Sequence, residues 1–359
     1  MIFSIILMPH QYSVNEVDLP YLRNKTLFIS MKLTQSNFVC SLLLILLTLN
    51  ACKHEPGAWR NDGIDESVRE NFSELNKVLF EGLKANNPKL LEKILSKTML
   101  EDVNRVRLIE LCSIRMRKGK TVPLDEYYMV HDFNKESSIQ SSNHGINSYS
   151  IKYLPTTREM YAAFYIVNDG AEEWLLSTIY NKLNYGWKLC ELELNPYTIN
   201  GKTAPELYQL AREQYAKGYL IDAVCTMNMF RNYAAPNVMW IYNRQSIMDE
   251  FYSKVIKEAE DTYSKTIVLN QVPTKPYVFR VFNQNVTEGS FPMVYYMSKI
   301  NLQDTIAIKR EFISVKEHIG NILPGIDKDK KYLFYTIFSE KSGAKKMYQD
   351  HINYTDKLK

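Results

Sequence analysis
The chain of 359 residues is 45% hydrophobic, 23% charged and 12% aromatic. That length and mixture describe a folded protein of two or three domains, large enough to bury a core without a metal or disulfide framework. They exclude a collagen, a long disordered chain and a cysteine-rich mini-protein, and a formal charge of +4, from 44 Lys and Arg against 40 Asp and Glu, makes no electrostatic case for nucleic acid as a partner.

In chain order, residues 1–30 begin apolar, but Pro9, His10, Glu16, Asp18 and Pro20 interrupt the remainder of that segment. Met31-Lys32 is a natural beginning for an export leader, so 1–30 read as an idle extension ahead of the working start. Residues 39–49, VCSLLLILLTL, fall short of the roughly 20 apolar residues of a bilayer span and suit the apolar region of a signal peptide. The run closes on Leu49-Asn50-Ala51-Cys52, an apolar residue and a small residue ahead of a cysteine. These residues resemble the lipobox of bacterial lipoproteins. The resemblance implies a signal peptide over 31–51, cleavage after Ala51, and a diacylglycerol on Cys52. Each lipid CH₂ then adds roughly 0.8 kcal/mol of membrane affinity. A simple secretory leader, with Cys52 incidental, is the alternative.

Residues 52–64 read as a polar tether. The charged Lys53, His54 and Glu55 are similar to the surface-export signals of Bacteroidota lipoproteins, so the expected location is the outer membrane, facing the periplasm or the cell exterior. With Cys40 in the leader and Cys52 committed to lipid, Cys112, Cys190 and Cys225 remain, an odd number that permits one disulfide at most.

The first folded region is expected over 65–200. Asp65 caps a helix in which Phe72, Leu75, Val78, Leu79 and Leu83 recur at helical spacing. Pro88 opens a second helix, and residues 99–116 fit either a strand or a third. Beyond Pro123 come short segments rich in aromatic and β-branched residues, at 127–130, 149–153, 161–167, 174–180 and 187–194, with turns at Asn168-Asp169-Gly170 and Asn184-Tyr185-Gly186. Helices followed by a strand meander form an α+β roll, and this order resembles the NTF2-like superfamily and its cystatin-like neighbours. That resemblance implies a pocket between helix and sheet, to which Tyr161, Tyr165, Trp174, Tyr180 and Trp187 are candidates. Core packing serves the same aromatics equally well. Glu191 and Glu193, two apart on the last strand, can share one face and divide acid and base roles if buried together.

Residues 201–271 are expected to be helical. Leu207, Leu210, Ala211, Ala223, Met227 and Phe230 fall on two antiparallel helices broken at Lys217-Gly218-Tyr219, an order that resembles one tetratricopeptide repeat. A further helix is expected over 238–259, with Trp240, Ile241, Ile247, Phe251 and Val255 inward. Residues 272–359 read as a small α/β domain: strands at 277–282, 293–297 and 305–308, a helix at 309–322, a strand at 332–338 and a solvated basic tail after Lys341.

The sequence carries little that resembles a catalytic motif. Asn200-Gly201-Lys202-Thr203 lacks the leading glycine of a phosphate loop, and Ser342 with Lys345 has serine–lysine spacing without companion motifs. His54, His131, His144, His318 and His351 have no ligand-like spacing, so no metal or cofactor is expected. Arg105, Arg107, Arg115, Arg117, Lys118 and Lys120 form the densest basic stretch and read as a solvated face. The resulting expectation is a noncatalytic binding or scaffold lipoprotein, held to the membrane through Cys52 and engaging an envelope protein or polymer. A weak hydrolase with its site in the roll, or a structural spacer, are the alternatives.

Overall fold
In the computed structural model, residues 55–132, 135–170, 172–342 and 350–358 are described. The extension 1–30, the leader with Ala51, the lipidation candidate Cys52 and the Lys345 end of the serine–lysine pair lie outside them. The chain enters through β1 (Gly57–Arg60), which pairs antiparallel with the end of β2 (Lys120–Val130), Gly57 opposite Val130. Its polar composition suggests a tether. It is instead an edge strand, with Trp59 stacked on Tyr128 at 5.7 Å.

Asp65 accepts the Ser67 N–H at 2.9 Å and starts α1 (Glu66–Lys84), whose Val68, Phe72, Leu79 and Leu83 are buried. Asn87 caps α2 (Pro88–Leu91) and Ser96 caps α3 (Lys97–Glu101), each through a side-chain oxygen. The Arg-rich segment is helical, as α4 (Arg105–Lys118), with Ile109, Cys112 and Met116 buried.

The next strands are β3 (Ser137–Gln140), β4 (Tyr149–Tyr153), β5 (Glu159–Asn168), β6 (Glu173–Leu183) and β7 (Gly186–Pro196). The main sheet has the order β1-β2-β5-β6-β7 and is antiparallel throughout. Both of its faces are buried. Tyr128, Tyr161, Ala163, Tyr165, Leu176 and Tyr180 pack with α1–α4. Tyr127, Met129, Ala162, Phe164, Leu175 and Ile179 pack into a second core. Side chains alternate between faces along a strand, so a sheet covered on both sides reads as an unbroken apolar run.

The second core is completed by α5 (Ala204–Ala216), α6 (Leu220–Tyr233), β8 (Trp240–Tyr242) and α7 (Gln245–Thr262). The expected hairpin is present, with Gly218 at φ +78° in its turn and the Thr203 N–H bonded to Glu206 at 2.8 Å. The helix expected from 238 begins at Gln245. Trp240 and Ile241 belong to β8, which pairs with β4 in the sheet β3-β4-β8, and Ile241 and Ile247 are exposed.

The C-terminal sheet contains β9 (Ile267–Val268), β10 (Tyr277–Val286), β11 (Gly289–Ser298), β12 (Tyr332–Ser339) and β13 (Ile352–Lys357), in the order β13-β12-β11-β10-β9. The parallel pair β11–β12 is joined across α8 (Thr305–Ile322). Residues 305–308, expected as a strand, are the first turn of this helix, because Asp304 caps it through the Ala307 N–H at 3.0 Å. Part of the expected solvated tail is β13, antiparallel to β12. The fold class is α+β. Residues Pro56–Lys359 form one compact unit, with α6 shared: Val224, Met227 and Phe230 enter the second core, Ile221 and Cys225 the C-terminal one.

Candidate functional site
The sheet divides the residues that the sequence suggested as one pocket. Tyr161 stacks on Phe72 with ring centres 3.6 Å apart, and its hydroxyl donates to Glu126. Tyr180 donates to Asn76 Oδ1 at 3.0 Å, and Trp187 meets the Phe72 ring edge-on at 4.8 Å. Trp174 lies under the Arg115 guanidinium at 4.1 Å, which is held by Asp169 at 2.5 Å. All four belong to the core beneath α1–α4.

Glu191 and Glu193 leave the other face. They stand opposite Ile179 and Ser177, whose face is the one carrying Leu175. Burial raises both carboxyls; Glu193 raises Glu191 further, whereas Asn237 and Asn195 partly restore Glu193. The Asn237 amide donates to Glu193 Oε2 at 2.8 Å. Carboxylates and aromatics therefore stand on opposite faces of the sheet, while Glu191 and Glu193 do share one face, as their spacing suggests.

Of the candidates, Tyr165 lines an open space. With its ring edge against Phe80 at 4.9 Å, it walls a depression of about 1000 Å³ between α1 and β2–β5. Some of the polar groups there bond within the protein. Arg69 binds Glu126 at 2.8 Å and Asp62 at 3.0 Å, while Glu126 also accepts from Tyr161.

A second space behaves differently. Between α5–α6 and β10–β11 lies a cavity of about 390 Å³ lined by Asn200, Leu207, Gln214, Asp222, Asn283, Ser290, Phe291 and Lys330, among others. A neighbour of about 320 Å³ shares Met229, Asn283 and Ser290 and adds Asn228, Asn232, Tyr233 and Asn285. Asn200 holds the junction: its amide donates to the Ser290 carbonyl at 2.8 Å and its Oδ1 accepts the Ser290 N–H at 2.7 Å. Gly289, at φ +134°, permits this approach, since a Cβ there would lie 2.1 Å from Asn200 Oδ1. Asn283 donates to the Cys225 carbonyl at 2.7 Å.

Lys330 binds Asp222 at 2.9 Å and the Gly325 carbonyl at 2.6 Å. Burial pushes the Asp222 carboxyl up to about 6 against the opposing pull of the Lys330 charge. Burial also holds the Cys225 thiol up at about 12, which keeps it protonated and unreactive at neutral pH.

On three of the lining residues, Asp222 Oδ1, Asn283 Oδ1 and Ser290 Oγ are buried without a hydrogen-bond partner among the described residues. Buried polar atoms are nearly always paired, and each unpaired one is held at a free-energy cost of about 1–3 kcal/mol. These are two acceptors and a hydroxyl on residues that line the cavity with Gln214 and the Phe291 ring, while the Tyr233 ring lines the neighbouring space. Sequence reasoning misses this cavity because its residues come from separate elements between 200 and 331. The one local signal is Asn283 and Asn285 within a strand, where asparagine is disfavoured. Among the described residues no group of acids, histidines and cysteines is placed to hold a metal ion, and no helix is long and apolar enough to cross a membrane. Comparison with protein-family models, curated proteins and solved structures finds no match to the chain.

Proposed function
We propose that the chain is a membrane-tethered binding lipoprotein, held by lipid on Cys52, that captures a neutral, hydroxyl-rich ligand in the groove between α5–α6 and β10–β11. The ligand class is a saccharide segment of the envelope. The observation that carries the proposal is that three residues lining one cavity, Asp222, Asn283 and Ser290, each hold a buried oxygen without a partner among the described residues. Hydroxyls donate and accept at once, so a sugar satisfies carboxylate, amide and hydroxyl partners together, and its C–H faces suit Phe291 and Tyr233. The antiparallel sheet with α1–α4 against one face supports an NTF2-like roll as the scaffold. The helical pair α5–α6 supports a tetratricopeptide-like hairpin as one groove wall.

Titration calorimetry of the detergent-extracted protein with neutral disaccharides tests the ligand class. A bound disaccharide whose affinity falls about tenfold in Asn283→Ala, the loss expected for one hydrogen bond, supports it. Binding that needs a phosphate or carboxylate on the sugar, or no binding at all, overturns it. Intact-mass analysis of the same extract tests the tether: an acylated chain beginning at Cys52, absent in Cys52→Ala, is expected.

A further inference from the structure
Helix α4 is apolar on two sides. Ile109, Cys112 and Met116 face inward and are buried, whereas Val106, Leu111 and Ile114 face outward at 56%, 46% and 37% exposure, preceded by Val103 at 91%. The same outward strip carries Arg107, Arg117 and Lys118, with Glu110 as its acid. None of these three cations forms an ion pair among the described residues, although Arg115 on the flank is engaged by Asp169. A helix facing water ordinarily presents polar residues on its outer side. Exposed aliphatic side chains set among Arg and Lys are the composition of helices that lie in a membrane interface.

We propose that this face of α4 rests on an anionic phospholipid surface, so that the protein meets its membrane at the lipid and again at the helix. The inference rests on the tethered reading above. Charge complementarity favours this occupant, since each Lys or Arg near an anionic leaflet strengthens attachment about fivefold.

Hydrogen exchange on the extracted lipoprotein decides the matter, after reconstitution into phosphatidylcholine vesicles with or without phosphatidylglycerol. Amides of residues 105–118 are expected to exchange at least about tenfold more slowly on the anionic vesicles. The doubly substituted protein Leu111→Ser, Ile114→Ser, altered only at exposed positions, should lose that protection while exchange elsewhere stays the same. Equal exchange on both vesicles, or protection that survives the substitutions, overturns the proposal. If intact mass shows no acyl chain, the tether has failed separately. The helix proposal is then read from cosedimentation of the unacylated chain: retention on anionic vesicles that needs Leu111 and Ile114 supports it, and no retention overturns it. A dimer in detergent that the same substitutions dissolve assigns the face to a second copy instead, and also overturns it.

Discussion
Two buried carboxylates show how partners decide what a charge does to the fold. Asp125, 3% exposed, accepts from Asn61 Nδ2 at 2.7 Å, from the hydroxyls of Tyr149 at 2.6 Å and Tyr127 at 3.3 Å, and from Ser142. It ties the chain after β1 to β2 and to the loop before β4. Asp125→Ala strands these donors inside the protein and should destabilise it by about 3–5 kcal/mol, read from urea denaturation.

Asp222 has one strong partner, Lys330, and an unpaired oxygen. Its folded value of about 6 lies above the usual unfolded value near 3.9. The native state therefore binds the proton more tightly, so this group's stabilisation is complete below about pH 4 and is lost as pH rises through about 6, a change of roughly 3 kcal/mol. Asp222→Asn should flatten that slope, so the stability difference between variant and parent grows from pH 4 to 8. Parallel curves would refute the assignment. Lys330→Met leaves the Asp222 charge buried and unpaired, and should lower stability at neutral pH by about 3 kcal/mol.

At the scale of elements, packing decides where periodicity leaves a choice. Gly82 on α1 sits against α2, and a Cβ there would lie 2.3 Å from Leu91 Cδ2. Gly82→Ala should cost about 1–3 kcal/mol by overpacking, seen as a lower melting midpoint with an unchanged far-ultraviolet spectrum. Residues 238–244 suggest a helix in sequence because Trp240, Ile241 and Ile247 fit a helical stripe. Of these, Trp240–Tyr242 are extended, because β4 offers an edge to pair with and because Trp240 stacks on Tyr149 at 3.3 Å. Residues 305–308 show the reverse: Thr305, Ile306 and Ile308 have strand propensity, but the Asp304 cap and burial of Ile308 among Val315 and Ile319 make them helical.

For the whole molecule, the junction between the second core and the C-terminal sheet joins the apolar faces of α6 to a set of polar contacts. Asn200 with Ser290, Asn283 with Cys225, and Lys330 with Asp222 cross it beside α6. Asn200 also holds φ at +52°, a conformation asparagine tolerates better than other non-glycine residues. Asn200→Ala removes both bonds to Ser290 and strains that backbone. It should destabilise the protein by about 2–3 kcal/mol and speed proteolysis near residues 199–203 and 287–290. Asn200→Gly relieves the strain without restoring the bonds, and is expected to recover part of the loss. The ligand groove lies along this junction, so bound saccharide should protect the same segments.

Much of the secondary structure is legible from local chemistry. Asp65, Pro88 and Thr203 open helices where their capping or fixed backbone predicts, and the turns at 168–170 and 184–186 fall between strands. These features are local because caps and turns are satisfied within a few residues of chain. The face to which each strand residue points, and therefore which side chains meet, is decided only in three dimensions. Tyr161 and Glu193 belong to strands of one sheet but stand on its opposite faces, and the bulge between Ile179 and Tyr180 shifts the register beside Glu191. The groove of Asp222, Asn283 and Ser290, and the outward apolar strip of α4, likewise exist only after packing. Local sequence can propose a helix or a strand, but tertiary contacts determine which polar atoms lose water without gaining a partner and which apolar side chains remain uncovered.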